Sequence, residues 1–142
     1  MAYQVSVFAE NKPGKIERVT TILAEKKINI LAVTISDAGD YGVIKLLVNN
    51  PVEGADALKA AGLPASLKEV VAVKVTDQPG GLCSIAKTLS RKGVNVEDAY
   101  GFITVKGKEA VFVFQVQNVS HVENILKDEG LEIVSDRELY MI

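Results

Sequence analysis

The sequence has very few of the side chains that build metal sites and nucleophilic catalytic sites. Its 142 residues include one cysteine, one histidine and no tryptophan. The single cysteine, Cys83, excludes an intramolecular disulfide, and one Cys with one His cannot supply the usual ligand sets for zinc. A Ser-His-acid device would depend on His121 alone, which we place in the solvated first turn of a helix. We interpret Cys83 as a small buried residue, and we expect no catalytic residue, no metal and no cofactor.

Long apolar runs and a strong charge imbalance are also missing. No run approaches the roughly 20 apolar residues that span a bilayer, and the first residues, MAYQVSV, lack the basic and apolar parts of a signal peptide. The chain has 16 basic and 18 acidic residues, for a formal net charge of -2. Such a balance gives no positive surface for nucleic acid or an anionic membrane. We therefore expect a cytoplasmic protein without a nucleic-acid or membrane partner.

The sequence does contain an internal duplication. Pro13-Gly14 and Pro79-Gly80 stand 66 residues apart (79 − 13), and this offset holds without a gap over the neighbouring strand and helix patterns. Self-similarity at a fixed spacing indicates two copies of one structural unit. The matches at this offset are Val5 with Val71, Val7 with Val73, Leu23 with Leu89, Lys26 with Lys92, and Asn29 with Asn95.

Each copy has the pattern of a β-α-β-β-α-β unit. Alternating apolar residues predict strands, and apolar stripes at helical spacing predict two helices in each copy. Such a unit folds as an antiparallel sheet with both helices on one face, which is the ferredoxin-like arrangement. We therefore predict an α+β protein of two tandem ferredoxin-like domains, residues 1–69 and 70–142.

Local signals mark turns and the start of the second helix in each copy. The segments DAGD (37–40) and KGKE (106–109) are typical of hairpin turns. Asn50 is suited to cap a helix that begins with a proline, and Ser120 with Glu123 fits a capping box. These signals predict helices that begin near residues 51 and 121.

Two predicted strands are apolar on both faces. VIKLLV (43–48) and AVFVFQV (110–116) are apolar at both alternating registers, whereas a strand with one solvated face alternates. We therefore expect the sheet face opposite the helices to be covered, most simply by a second copy in a homodimer. Single-stranded RNA binding is an alternative, because an RRM has the same element order and stacks bases on strand aromatics such as Phe112 and Phe114. In an acidic protein with few aromatics, we favour packing of both rings against a partner sheet.

The repeated Pro-Gly segment lies between a strand and the N-terminus of a helix. A helix N-terminus offers unsatisfied backbone N–H groups and a partial positive charge, and glycine lets another group approach the backbone closely. Asn11 and Asp77 precede the two Pro-Gly pairs. Their side chains either cap the helix, which is ordinary turn chemistry, or hold the ammonium group of a ligand. In both copies an asparagine between two apolar residues follows the helix, as INI and VNV.

These residues resemble the ACT domain family, whose β-α-β-β-α-β modules bind amino acids and regulate enzymes of amino-acid metabolism. NKPGKI with INI and DQPGGL with VNV both fit the motif of the family. The resemblance covers almost the whole chain as two tandem modules. It implies that the loop side chains and the later asparagines hold the ligand at a contact between modules, with the adjacent backbone and apolar residues lining the pocket. The residues that it implicates are Asn11, Pro13, Gly14, Asn29, Ile30, Asp77, Pro79, Gly80, Gly81, Leu82, Asn95 and Val96.

The function that the resemblance implies is that of a non-catalytic sensor or regulator of amino-acid metabolism. A small amino acid is the expected ligand, and an enzyme of amino-acid metabolism is the expected partner if the protein regulates a separate chain. A regulatory subunit that acts mainly by protein contact is an alternative. The two copies differ beside the loop, where Lys12 and Lys15 of the first copy correspond to Gln78 and Gly81 of the second. We therefore expect one of the two sites to be altered or silent.

Overall fold

The computed structural model of the protein describes residues 2–142. The chain divides into two compact units. Residues 3–68 form one unit, which we call the first module, and the other, which we call the second module, consists mainly of residues 69–140. No helix in the described part of the chain is long and apolar enough to cross a bilayer.

The first module contains three antiparallel strands in the order β2-β3-β1. Asn50 caps α2 through its side chain, which accepts a hydrogen bond from the Glu53 N–H, and Pro51 is the first residue of that helix. The prediction for this helix start is therefore confirmed. The elements are β1 (Ala2–Glu10), α1 (Lys15–Glu25), β2 (Ile30–Ala38), β3 (Tyr41–Val48), α2 (Pro51–Ala60) and the beginning of β4 (Ala65–Val75).

One face of this sheet packs against both helices. Apolar residues of α1 and α2, with Leu23 and Leu58 fully buried, join residues of β1 and β3 in a single core. The amphipathic stripe of α1 therefore contacts the sheet, as its spacing predicts.

The second module repeats this architecture. Its antiparallel strands have the order β7-β4-β6-β5, and α3 and α4 contribute to one core with β4 and β6. This is the ferredoxin-like fold that the sequence predicts. The elements after β4 are α3 (Gly81–Arg91), β5 (Asp98–Val105), β6 (Glu109–Gln115), α4 (Val119–Asp128), β7 (Glu132–Ile133) and a short α5 (Asp136–Tyr140).

Phe112 and Phe114 lie on the helix side of β6. Phe114 is only 3% exposed, and Phe112 packs against the same core. The expectation that both rings pack against a partner sheet is therefore wrong. The rings are also on the wrong face to stack RNA bases, because an RRM reads bases on the open face of its sheet.

The other face of the second sheet is partly covered by α5 of the same chain. Lys74 Nζ lies 3.6 Å from Glu138 Oε2 of this helix, and Tyr140 acts electrostatically on Tyr100 of β5. Lys74 and Tyr100 lie opposite Val111 and Val113 of β6, so all four share the face away from α3 and α4. In the second module, this face therefore has a partial cover from the same chain, and the homodimer stays a prediction.

Candidate functional site

Both Pro-Gly loops have the same backbone conformation. Gly14 has φ 90° and ψ −6°, and Gly80 has φ 90° and ψ −7°, so a glycine in the left-handed region directly precedes each helix. This region disfavours residues with a Cβ atom. No side chain of the described residues caps the start of either helix. The interpretation of Asn11 and Asp77 as helix caps is therefore wrong.

Asn11 and Asp77 instead bind the hairpin turn of their own module. Asn11 Nδ2 donates to the Gly39 carbonyl at 3.0 Å, whereas Asp77 Oδ2 accepts from the Gly107 N–H at 2.7 Å. Their backbone N–H groups also donate to this turn, Asn11 to Asp40 at 2.7 Å and Asp77 to the Lys108 carbonyl at 3.2 Å. Each loop is thus fixed against the turn that joins the second and third strands of its module.

In the first module, a lysine fills the space beside the loop side chain. Lys15 Nζ donates to Asn11 Oδ1 at 3.0 Å and to Asp37 Oδ1 at 2.6 Å. The Lys15 side chain is only 14% exposed. The amide of Asn11 is therefore engaged at both ends, by Gly39 and by Lys15.

In the second module, an open cavity lies beside the loop. Its volume is about 350 Å³, within the range of about 300 to 1,000 Å³ that is usual for small-molecule pockets. Asp77 supplies a carboxylate to its lining, and the backbone at Gly80 and Gly81 brings the N-terminus of α3 to it. The remaining wall includes apolar side chains, Leu82, Ile103 and Phe112 among them. We call this space the loop cavity.

Cys83 also lines the loop cavity and is exposed, so its interpretation as a buried residue is wrong. His121 is exposed near the start of α4, as predicted. In the described part of the chain, no group of three or more His, Cys, Asp or Glu side chains is placed to hold a metal ion.

The prolines face a different groove, on the other side of each loop. Pro13 and Gly14 line a cavity of about 410 Å³ with Leu63. Pro79 and Gly80 line the corresponding cavity of about 580 Å³ in the second module. In the second module, Gly80 and Gly81 therefore line both this groove and the loop cavity. Of these two spaces, Asp77 lines the loop cavity.

The later asparagines stand at the far end of the first helix in each module. A helix of 11 residues separates them from the loop, which corresponds to about 16 Å. Asn29, which Ile30 follows, exchanges hydrogen bonds with Asn49: its N–H donates to Asn49 Oδ1 at 3.0 Å and its carbonyl accepts from the Asn49 N–H at 3.1 Å. Within one module, the structure does not bring Asn29 next to Asn11.

Asn95 and Val96 line a shallow groove of about 570 Å³ beside α3. Leu82 contributes to both this groove and the loop cavity. The two spaces therefore adjoin along one side of the helix, with Asp77 in one and Asn95 in the other.

Comparison with known proteins identifies relatives of this fold. A protein from Bacteroides thetaiotaomicron is 30% identical, with a TM-score of 0.91 over 99% of this chain and 96% of that one. The ligand-free regulatory subunit of aspartate kinase from Thermus thermophilus is 14% identical, with a TM-score of 0.67 over 89% of this chain and 91% of that one. A comparison with curated proteins gives no match. Residues 1–142 match the model of the ACT domain pair, and the chain therefore belongs to this family.

Proposed function

We propose that the protein is a non-catalytic regulator or sensor that binds a small amino acid at the loop cavity of the second module. The observation that carries this proposal is the meeting of a carboxylate, a helix N-terminus and an apolar wall in one cavity of about 350 Å³. Membership of a family of amino-acid-binding modules supports the same function.

The chemistry of the loop cavity suits a zwitterion. Asp77 carries a negative charge for the ammonium group, and Gly107 uses only Oδ2 of that carboxylate. The first N–H groups of α3 and the helix dipole favour a carboxylate, and near a helix end this contribution is about 0.3–1 kcal/mol. Leu82, Ile103 and Phe112 would then contact the ligand side chain, which favours an apolar amino acid.

Regulation requires that the ligand bind two conformations of the protein with different affinity. In the proposed mechanism, binding stabilises one arrangement of the modules or of a homodimer. The proposed partner is an enzyme of amino-acid metabolism. The remaining residues that the family motif implicates, Asn29 and Asn95 above all, would complete the site across such a contact.

The proposal is tested with a thermal-shift panel of the twenty amino acids at millimolar concentration. A ligand present at 100 times its Kd stabilises the folded protein by about 2.7 kcal/mol, which is a shift of several degrees in Tm. We expect one chemical class of amino acid to raise Tm, and Asp77→Asn to abolish the rise. Asp128→Asn, an exposed aspartate at the end of α4, is the control and keeps the full shift.

Two results would contradict the proposal. An equal shift in Asp77→Asn and wild type would place binding away from the loop cavity. No shift with any amino acid would favour a regulatory subunit that acts by protein contact alone.

A further inference from the structure

The first module has an ion pair between Lys15 and Asp37, and the second module has a different residue at each of these two positions. At the offset of 66 residues, Lys15 corresponds to Gly81 and Asp37 corresponds to Ile103. The strand registers agree with this assignment: Asp37 pairs with Gly42, which pairs with Ala9 of the first strand. In the second module Ile103 pairs with Ala110, which pairs with Val75, and Val75 is 66 residues after Ala9. The cation and its carboxylate are thus replaced together.

The Lys15 side chain occupies the place in the first module that corresponds to the loop cavity of the second. Its ammonium reaches Asn11 and Asp37. The counterparts of these two residues, Asp77 and Ile103, both line the loop cavity, as does Gly81 at the position of Lys15 itself. A glycine there leaves open the space through which Lys15 extends.

From this comparison we infer that Lys15 is a built-in occupant of the first module, so that one free amino acid binds per chain, in the second module. The inference rests on the proposed function and adds that the loop of the second module is the one available to a ligand. The Lys15 ammonium takes the position that a ligand ammonium takes beside Asp77. A ligand entering the first loop would have to displace a mostly buried cation from a carboxylate and an amide oxygen. Among the described residues, those that line the loop cavity include no lysine or arginine.

The first measurement is the number of amino-acid molecules bound per chain, by calorimetric titration with the amino acid that gives the largest thermal shift. We expect one site per chain in the wild type. Lys15→Ala should gain a second, weaker site, because it leaves Asp37 and Asn11 facing an empty space. Lys26→Ala, which removes an exposed lysine at the other end of α1, is the matched control and should keep one site.

Cys83 reports which module is occupied. It is the only cysteine and it lines the loop cavity, so a bound amino acid should slow its reaction with a maleimide. In the wild type, protection should rise with ligand concentration in step with occupancy of the single calorimetric site. Two equal sites in the wild type, or one site without protection of Cys83, would overturn the inference while leaving amino-acid binding established.

A second measurement does not depend on amino-acid binding. Lys15→Ala should have a lower Tm than wild type, and n-butylammonium chloride should restore part of the loss, because its ammonium and chain replace those of Lys15. Sodium chloride at equal ionic strength should not restore the Tm of Lys15→Ala. Neither salt should specifically stabilise the wild type or Lys26→Ala. Where Lys15→Ala folds poorly, Asn11→Asp with Lys15→Gly and Asp37→Ile gives the first loop the residues of the second at these three positions. This variant should show the second amino-acid site or, failing that, stabilisation by n-butylammonium.

The outcomes separate the two proposals. If no amino acid binds any variant but n-butylammonium stabilises Lys15→Ala, the proposed function fails and the role of Lys15 as occupant of a cation position stands. If amino acids bind the wild type at one site but the Lys15 variants show neither a second site nor n-butylammonium stabilisation, the inference about Lys15 fails.

Discussion

Gly101 keeps the aromatic ring of Phe112 beside the loop cavity. It lies on β5 directly opposite Phe112 on β6. A Cβ atom at position 101 would lie 2.4 Å from Cδ1 and 2.5 Å from Cε1 of this ring, well inside van der Waals contact. On its other side Phe112 pairs with Val73, which is fully buried in the core. The ring therefore has to shift if position 101 carries any side chain.

We expect Gly101→Ala to lower the free energy of unfolding by about 1–3 kcal/mol, the usual cost of overpacking. Urea denaturation measures this change. Ala99→Ser, on the same face of β5 and exposed, is the control and should stay within about 0.5 kcal/mol of wild type. Equal stability of the two variants would mean that Phe112 moves without cost, and that its ring does not define the wall of the cavity.

At the scale of the element, α1 and α3 end in the same way with different residues. In α1, Lys27 has φ 57° and the next N–H, of Ile28, donates to the Leu23 carbonyl at 3.0 Å. In α3, Gly93 has φ 71° and the Val94 N–H donates to the Leu89 carbonyl at 2.9 Å. Both are left-handed C-terminal motifs, for which glycine is the usual residue. Lys27 therefore holds a strained conformation that Gly93 adopts freely.

Exchanging these residues should change stability in opposite directions. The left-handed conformation costs a residue with a Cβ about 1–2 kcal/mol, and glycine loses about 0.5–1 kcal/mol through the greater freedom of the unfolded chain. We expect Lys27→Gly to stabilise by up to about 1 kcal/mol and Gly93→Lys to destabilise by a similar amount. Lys26→Gly, whose φ is −91°, should instead destabilise the protein. Chemical denaturation of the three variants checks the signs, and stabilisation by Lys26→Gly would rule out the conformational explanation.

Most elements could be predicted because their signals are local and appear twice. The exceptions concern helix ends. The cap of α4 is Asn118, whose side chain accepts from the His121 N–H, and not Ser120. The short α5 was missed because five residues show no helical period, although Ser135 with Glu138 fits a capping box and the Glu138 N–H donates to Ser135 Oγ at 3.2 Å.

The arrangement around the loops was less accessible to sequence analysis. Asn11 and Asp77 contact turn residues 28 and 30 positions later in the chain, and Lys15 contacts Asp37 over 22 positions. No local pattern reports such contacts, because they depend on how the strands pair. Comparison of the two copies in the sequence shows that Gly81 stands at the position of Lys15. The effect of this difference on the loop depends on where Asp37 lies, and only the structure shows that.

For the whole molecule, the duplication has produced two modules with different chemistry. The first has an internal ion pair beside its loop, whereas the second has the open cavity and the additional helix α5. The second also contains the two groups that have a shifted pKa among the described residues, Lys74 and Tyr100. Partial burial lowers the pKa of the Lys74 ammonium, but Glu132, Glu109 and Glu138 raise it more, so that it lies above its ordinary value. Burial raises the pKa of the Tyr100 phenol, and Asp98 and Tyr140 raise it further.

These shifts predict that the protein loses stability at alkaline pH. In the unfolded chain a tyrosine ionises near pH 10, whereas the raised pKa keeps folded Tyr100 protonated at higher pH. Its contribution is therefore fully present below pH 10 and is lost as the pH rises above that value, and Lys74 acts in the same direction. We expect the free energy of unfolding, measured in urea, to fall between pH 9 and 11, and Tyr100→Phe to reduce that fall by about 1 kcal/mol. Tyr41→Phe, which changes a tyrosine that is 60% exposed, is the control and should leave the fall unchanged. An equal fall in Tyr100→Phe and wild type would show that the alkaline sensitivity arises from groups other than the phenol beneath α5.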